Sequence, residues 1–461
     1  MKITLLFLMT LSLNALSLDI TDEEFKKMIE KALIDTEAAV EAKPKQREKN
    51  TPFKLTCNDS NVFTISTDDQ LKLKYRKEIA KIKNDSDVDF IFFQGGPGAK
   101  GIEIDWLSML PNARSFVMDL RGTHCNSIPK KQLLETEIST IRFAKDWLAI
   151  AKKENIKKVL LHGGSYGTVI SVVVANLFEQ NGIDVVGIIQ SGTVGEYKKF
   201  AQFGVGYERV WKYLYTKDLS KSYKSELERD TPYGFSREDL TLLASYISMV
   251  GATYNADVPS KRAFLTYYLK SLSKEEESFG QIMGYDSFLK KGIEWMKGSH
   301  SYVYEKISCE EFNPSGLEYN LVLDEAGDLV FDPKNKGYCH NKNFKKAPFY
   351  PEEFPFDAPI LFIEGAFDPN TPIYGAITQS VAFDDQKRTM IIGAGGGHGA
   401  SNYLGRCFSK ILTDFYQNQS LSDKSLINCP SYQRYDLEVE EALVQKYPEF
   451  RETYEWYVDQ D

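Results

Sequence analysis

The chain has little that would suit it to nucleic acid, to a metal or to the interior of a bilayer. Its 461 residues carry 56 Lys and Arg against 65 Asp and Glu, a formal net charge of −9. A surface for nucleic acid or anionic lipid needs a positive field, so this balance argues against both partners. Cysteine is sparse and widely spaced. Cys57, Cys125, Cys309, Cys339, Cys407 and Cys429 contain no Cys-x-x-Cys pair, so neither a metal site nor a dithiol redox centre is expected. Beyond the amino terminus no apolar run approaches the roughly 20 residues that a membrane-spanning helix needs. There is also no internal repeat and no low-complexity tract. With 42% hydrophobic and 26% charged residues, the composition is that of a globular protein, long enough for one large or two medium cores.

What is present begins at the first residues. Met1-Lys2 precedes the apolar stretch Ile3–Leu13, and Ala15-Leu16-Ser17 offers a small-x-small cleavage site. Residues 1–17 therefore read as a secretory signal, which predicts an exported chain, periplasmic or extracellular, with no membrane contact after cleavage. In that setting six cysteines imply disulfides, and six allow fifteen pairings. Residues 18–50 read as a helix, opened by the capping box Thr21-Asp22-Glu23-Glu24, followed by a polar linker.

From residue 51 the pattern is of strands and helices. Residues 61–67 and 71–80 suggest an antiparallel pair. Asp89–Phe93, Ser115–Asp119, Lys158–Leu161 and Val185–Gln190 read as buried strands, and residues 135–154 as an amphipathic helix. Near residue 195 the strand signals stop, and up to about residue 355 the chain reads as helical and loop-rich. Ala358–Ile363 and Arg388–Ile392 then restore the sheet. The last thirty residues read as a helix plus an acidic tail. The expected fold is α/β, a mostly parallel sheet with helices on both faces, its core split into 51–195 and 356–461 by a largely helical cap at 196–355.

Four elements of the sequence fall in an order that suits nucleophilic catalysis by a serine. Gln94-Gly95-Gly96-Pro97-Gly98 follows a buried strand, where a glycine-rich turn can aim a backbone N–H at a developing oxyanion. Gly163-Gly164-Ser165-Tyr166-Gly167 is a Gly-x-Ser-x-Gly turn between a strand and a buried helix at Val169–Phe178, which lifts a serine hydroxyl clear of the backbone. Asp368, before Pro369, lies just past a strand, and His398 stands among glycines after the next one. These residues predict Ser165 as nucleophile, His398 as its base and Asp368 as the acid that orients the base, with the N–H groups of Tyr166 and Gly96 forming the oxyanion hole. No cofactor is needed. Each has a plainer reading: a tight turn at Ser165, an Asx turn at Asp368. Asp384 and Asp385 are rival acids outside the strand-end position. His162 reads as a satisfied structural group and His124 as a residue of the pocket mouth, while His300 and His340 give no signal.

Together, Gly95-Gly96-Pro97-Gly98, Asp119-Leu120-Arg121-Gly122, Gly163–Thr168, Asp368-Pro369-Asn370-Thr371-Pro372 and Gly397-His398-Gly399 resemble the prolyl aminopeptidase and tripeptidyl aminopeptidase family of α/β-hydrolase serine peptidases. The tripeptidyl branch is the closer of the two. The resemblance implies cleavage at free peptide amino termini, with acidic residues of the cap holding the substrate's α-amine; the sequence does not single those acids out. It also implies a Cys407–Cys429 disulfide. For the other cysteines we expect Cys57 with Cys125 and Cys309 with Cys339, a pairing the residues themselves leave open. The chain departs from the prolyl branch in having Gln94 before the glycine-rich turn, in an altered loop after Arg121-Gly122, and in lacking that branch's paired cap tryptophans. The expectation is a secreted serine aminopeptidase acting on peptides. A carboxylesterase with the same triad is the alternative, and a non-catalytic hydrolase-fold binding protein a more distant one.

Overall fold

The computed structural model describes residues 55–80, 87–103, 107, 110, 112–195, 301–312, 321–323, 329–331, 339, 343–350, 353–365, 368, 370, 371, 373–383, 387–393, 397, 398, 404, 406–427, 429 and 432–437. The expected signal, the helix at 18–50, the greater part of the insertion, the rival acids Asp384 and Asp385, and the acidic tail lie outside them.

The sheet begins with an antiparallel pair, β1 (Val62–Ser66) and β2 (Lys72–Glu78), and β2 runs antiparallel to β4 (Ser115–Met118). Next, β4, β3 (Asp89–Phe93), β5 (Lys158–Gly164), β6 (Asp184–Ser191), β9 (Ile360–Gly365) and β10 (Arg388–Gly393) are all parallel. An antiparallel edge strand, β11 (Tyr432–Leu437), closes the order β1-β2-β4-β3-β5-β6-β9-β10-β11. This is the α/β-hydrolase fold that the sequence predicts.

The central strands read as unbroken apolar runs because helices cover both faces. Alternate residues of a strand point to opposite sides. Ile91, Phe93 and Leu161 join one core with Phe143, Trp147 and Val169 of α2 (Thr140–Lys153) and α3 (Gly167–Glu179). Phe90, Phe92 and Leu160 join the other, with Phe408, Ile411 and Phe415 of α6 (Arg406–Asn418). Helix α2 starts five residues later than periodicity alone suggests. Lys130–Glu135 forms its own short helix, α1, and Ser139 caps α2 by accepting the Arg142 N–H at 3.1 Å. Helix α5 (Ile373–Ala382) connects β9 to β10.

Two segments differ from the expectation. Tyr432–Leu437 lies in the stretch read as helix plus tail, yet it pairs with β10 over its whole length. Within the insertion, α4 (Tyr302–Ile307) is followed by a small antiparallel hairpin of β7 (Leu321–Leu323) and β8 (Leu329–Phe331).

Disulfides join Cys57 to Cys125, Cys309 to Cys339 and Cys407 to Cys429, all as expected. Three such bonds in one chain point to an oxidising, exported compartment.

Candidate active site

Ser165 sits between the end of β5 and the start of α3 with φ at +52°. That left-handed conformation costs a non-glycine residue about 1–3 kcal/mol and persists only where its surroundings enforce it. Here they do. The Ser165 N–H donates to Ser191 O at 2.9 Å, and Ser165 O accepts the Thr168 N–H at 2.9 Å and the Thr168 hydroxyl at 2.7 Å. The flanking glycines are sterically required. A Cβ on Gly163 would lie 2.3 Å from Gly167 O, and one on Gly167 would lie 2.1 Å from Phe93 O.

The acid–histidine pair comes from the neighbouring strand ends. Asp368 follows β9 and is buried. It accepts the N–H groups of Asn370 and Thr371 at 2.8 and 3.0 Å, and the Thr371 hydroxyl at 2.6 Å. His398 Nδ1 lies 2.9 Å from Asp368 Oδ2 and 3.2 Å from Oδ1, and its other nitrogen has no partner among the described residues. The side chain of His398 is 27% exposed against 1% for Asp368. Burial works to lower the His398 pKa, but the charge and hydrogen bond of Asp368 outweigh it and raise the group above its ordinary 6.5.

Backbone contacts carry the serine to this pair. Ser191, which receives the Ser165 N–H, ends β6, and the next residue, Gly192, donates to Ile363 O of β9 at 3.1 Å. A Cβ on Gly192 would meet Thr371 Oγ1 at 2.8 Å, Asp368 Oδ2 at 3.3 Å and His398 Cε1 at 3.6 Å. On the other side of the serine, a Cβ on Gly95 would lie 3.4 Å from Ser165 Oγ. The structure thus places Ser165 and the 94–98 turn at the carboxyl ends of β5 and β3, and the Asp368–His398 pair beside Gly192 past the ends of β9 and β10, with no hydrogen bond between Ser165 and His398 among the described residues. Among the described residues no group accepts the N–H of Tyr166 or of Gly96.

Other side chains hold this edge in place. Gln94 is buried and donates to Met118 O at 2.6 Å, while Asp119 accepts the N–H groups of Gly101, Ile102 and Cys125. Arg121 is fully buried and bonded to Asp146 and Asp69, and Arg142 reaches Asp146 and Asp68. His124 is exposed, with Nε2 2.9 Å from Gly98 O, so it ties its loop to the glycine-rich turn. His162 is packed among the rings of Phe90, Phe92 and Phe408, and burial pushes its pKa down to about 3. Its Nε2 lies 3.1 Å from Ser191 Oγ, whereas Nδ1 has no partner among the described residues, so it is only half satisfied. His340 and His300 lie outside the described residues.

Sequence reasoning missed several groups. Thr371 donates to Asp368 and also lies 3.2 Å from His398 Nδ1. Glu364, fully buried at the end of β9, accepts the Thr193 N–H and its hydroxyl, the latter at 2.6 Å. Burial, assisted by the charge of Asp368, raises its pKa well above the carboxylate range. In the insertion, Glu310 holds Lys306 Nζ at 2.6 Å and Glu311 is bonded to Thr140. The adjacency of Thr371 to Asp368 was a readable signal; the others have partners remote in sequence.

Residues 332–426 match the family described as TAP-like protein. No curated protein matches the chain in sequence. Among solved structures, the esterase RhEst1 from Rhodococcus sp. ECU1013 is 13% identical, covering 78% of this chain and 100% of its own at a TM-score of 0.39. A hydrolase from Pseudomonas aeruginosa PA01 is 14% identical over 78% of this chain and 99% of its own, also at 0.39. A bromoperoxidase from Bacillus anthracis is 15% identical over 77% and 100%, again at 0.39.

Proposed function

We propose that the chain is an exported serine hydrolase whose nucleophile is Ser165, and that its reaction is the removal of residues from free peptide amino termini. The observation that carries the first part is the His398 Nδ1–Asp368 pair, set across Gly192 from a serine held at φ +52°. The second part is supported by the match of residues 332–426 to a TAP-like family and by the motifs of the sequence.

In this reaction Asp368 accepts the Nδ1–H of His398, leaving Nε2 as the base. Nε2 takes the proton of Ser165 as Oγ attacks the carbonyl carbon, and the tetrahedral oxyanion is held by the N–H groups of Tyr166 and Gly96. His398 then delivers that proton to the leaving amine as the carbon–nitrogen bond breaks. A water molecule, deprotonated by the same nitrogen, attacks the acyl-enzyme and releases the acid with Ser165 restored.

An alkyl fluorophosphonate tests the nucleophile: it should label Ser165 and spare Ser165→Ala, and an unlabelled wild type would refute the assignment. A panel of aminoacyl, prolyl and tripeptidyl amides, run beside short acyl esters, tests the specificity. Free-amine amides should be cleaved and their N-acetylated forms should not. Equal cleavage of the blocked forms, or turnover of esters alone, would establish the esterase instead.

A further inference from the structure

A buried chain of hydrogen bonds runs from the elbow to the insertion. Tyr166 Oη lies 2.6 Å from Thr140 Oγ1 at the start of α2. The Thr140 N–H donates to Glu311 Oε1 at 2.9 Å, and its hydroxyl donates to Oε2. The phenol ring of Tyr166 meets Phe312 edge-on, with centroids 5.9 Å apart. All four side chains are buried. Since Thr140 gives its hydroxyl hydrogen to Glu311, its oxygen must accept from Tyr166, and the chain runs one way: Tyr166 to Thr140 to Glu311. Tyr166 is also the residue whose backbone N–H is assigned to the oxyanion.

We propose that Glu311 is a positioning residue for the oxyanion site: seated on Thr140, it fixes Tyr166, so the elbow becomes competent only when segment 301–312 is docked on α2. The proposal rests on the reading of Ser165 as nucleophile.

Protonation of Glu311 reverses the chain. A carboxylic acid donates to Thr140 Oγ1, Thr140 then donates to Tyr166 Oη, and the phenol hydrogen is left without an acceptor among the described residues. Burial pushes the Glu311 carboxyl up to about 7 against the hydrogen bonds of Thr140; Glu310 raises it further, and Lys306, itself 2.6 Å from Glu310, opposes. Facing these groups are the uncharged Thr140 of α2 and Tyr166 of the elbow. The direction of the chain therefore changes around neutrality.

The test is the rate at which an alkyl fluorophosphonate phosphonylates Ser165 in the full disulfide-bonded chain, measured from pH 5.5 to 9. Wild type is compared with Glu311→Gln, Tyr166→Phe and the double variant. At pH 8 each single change should lower the maximal labelling rate about tenfold, the scale of a misplaced reacting geometry. The reagent's half-saturating concentration should stay within about twofold. The double variant should be no slower than the slower single, because both cut one chain. Glu311→Gln should also lose a step near pH 7 that wild type shows in addition to the titration of His398. Unchanged rates, a loss confined to half-saturation, or additive losses would overturn the proposal. Tyr166→Phe keeps the contact with Phe312 and carries the test alone should the glutamine variant fail to fold, as judged by near-ultraviolet circular dichroism. A wild type that does not label refutes the nucleophile itself; a wild type that labels no faster than its variants refutes only the role of Glu311.

Discussion

Replacing Glu311 by glutamine has a second consequence, in stability. The carboxyl titrates at 4.5 in an unperturbed setting and is pushed up to about 7 in the folded chain, first of all by burial. Between those values the folded state holds a proton that the unfolded state has released. The group's contribution to stability is therefore complete below pH 4.5 and is lost as the pH rises through about 7. A separation of about 2.5 units at 1.36 kcal/mol per unit gives about 3 kcal/mol as the scale of the loss. Glutamine has no such titration. Urea unfolding of both proteins with disulfides intact, at several values from pH 4.5 to 8, gives the difference in unfolding free energy at each. Subtraction cancels the other titrating groups, including His398, Glu364 and Asp69, and equal m-values confirm that the unfolded states match. The variant should gain about 3 kcal/mol on wild type across the range. A flat difference, or one that falls as the pH rises, would refute the claim that Glu311 is raised by burial. The ionised form that destabilises the fold is thus the one that points the hydrogen-bond chain from Tyr166 toward the insertion.

Three further outcomes are expected. Ser165→Gly removes the proposed nucleophile and relieves the left-handed backbone, so labelling should vanish while urea unfolding shows stability equal to wild type or up to about 1 kcal/mol higher; a clear loss would mean that φ +52° carries no strain. Asp368→Asn removes the charge that raises His398 and leaves burial unopposed. The acid limb of the labelling profile should move to lower pH while the rate at pH 8 falls about ten-thousandfold; a limb that stays in place would exclude His398 as the base. Glu364→Gln keeps an accepting carbonyl for Thr193, and burial already favours the uncharged carboxyl, so urea unfolding at pH 7 should change by no more than about 1 kcal/mol. A loss of several kcal/mol would show that the ionised form holds Thr193.

What could be read from the sequence was whatever depends on local pattern. Phe90–Phe93 and Ile360–Ile363 announce parallel strands because both of their faces are covered, so no polar residue interrupts them. Gly163 and Gly167 announce the elbow because a side chain at either would strike the backbone. What depends on a partner elsewhere in the chain was not readable. Tyr432–Leu437 carries Gln433, Arg434 and Asp436 with no clean alternation, and becomes a strand only because β10 offers an open edge. The hairpin strands Leu321–Leu323 and Leu329–Phe331 are too short to show a period. Glu364 looks like a solvated strand end and is fully buried, and nothing near Glu311 in sequence indicates Thr140.

The missed groups share a logic. A strained serine and an imidazole poised between two charge states both need surroundings that do not yield. The sheet supplies this for backbone: Ser165 is bonded to Ser191, and Gly192 to Ile363. Side-chain direction beyond the sheet needs other anchors, and hydroxyls on buried carboxyls provide them. Thr371 is held on Asp368, Thr193 on Glu364 and Thr140 on Glu311. Each threonine sits at a junction where one segment must be fixed against another: the acid turn, the link from β6, and the seat of the insertion. Burying a carboxyl is costly unless its oxygens are satisfied, and one hydroxyl with its own N–H satisfies two acceptor sites from a single residue. Of the three pairs, only Thr140 with Glu311 joins the core to the insertion, which is why the proposed coupling between the insertion and the elbow is placed there.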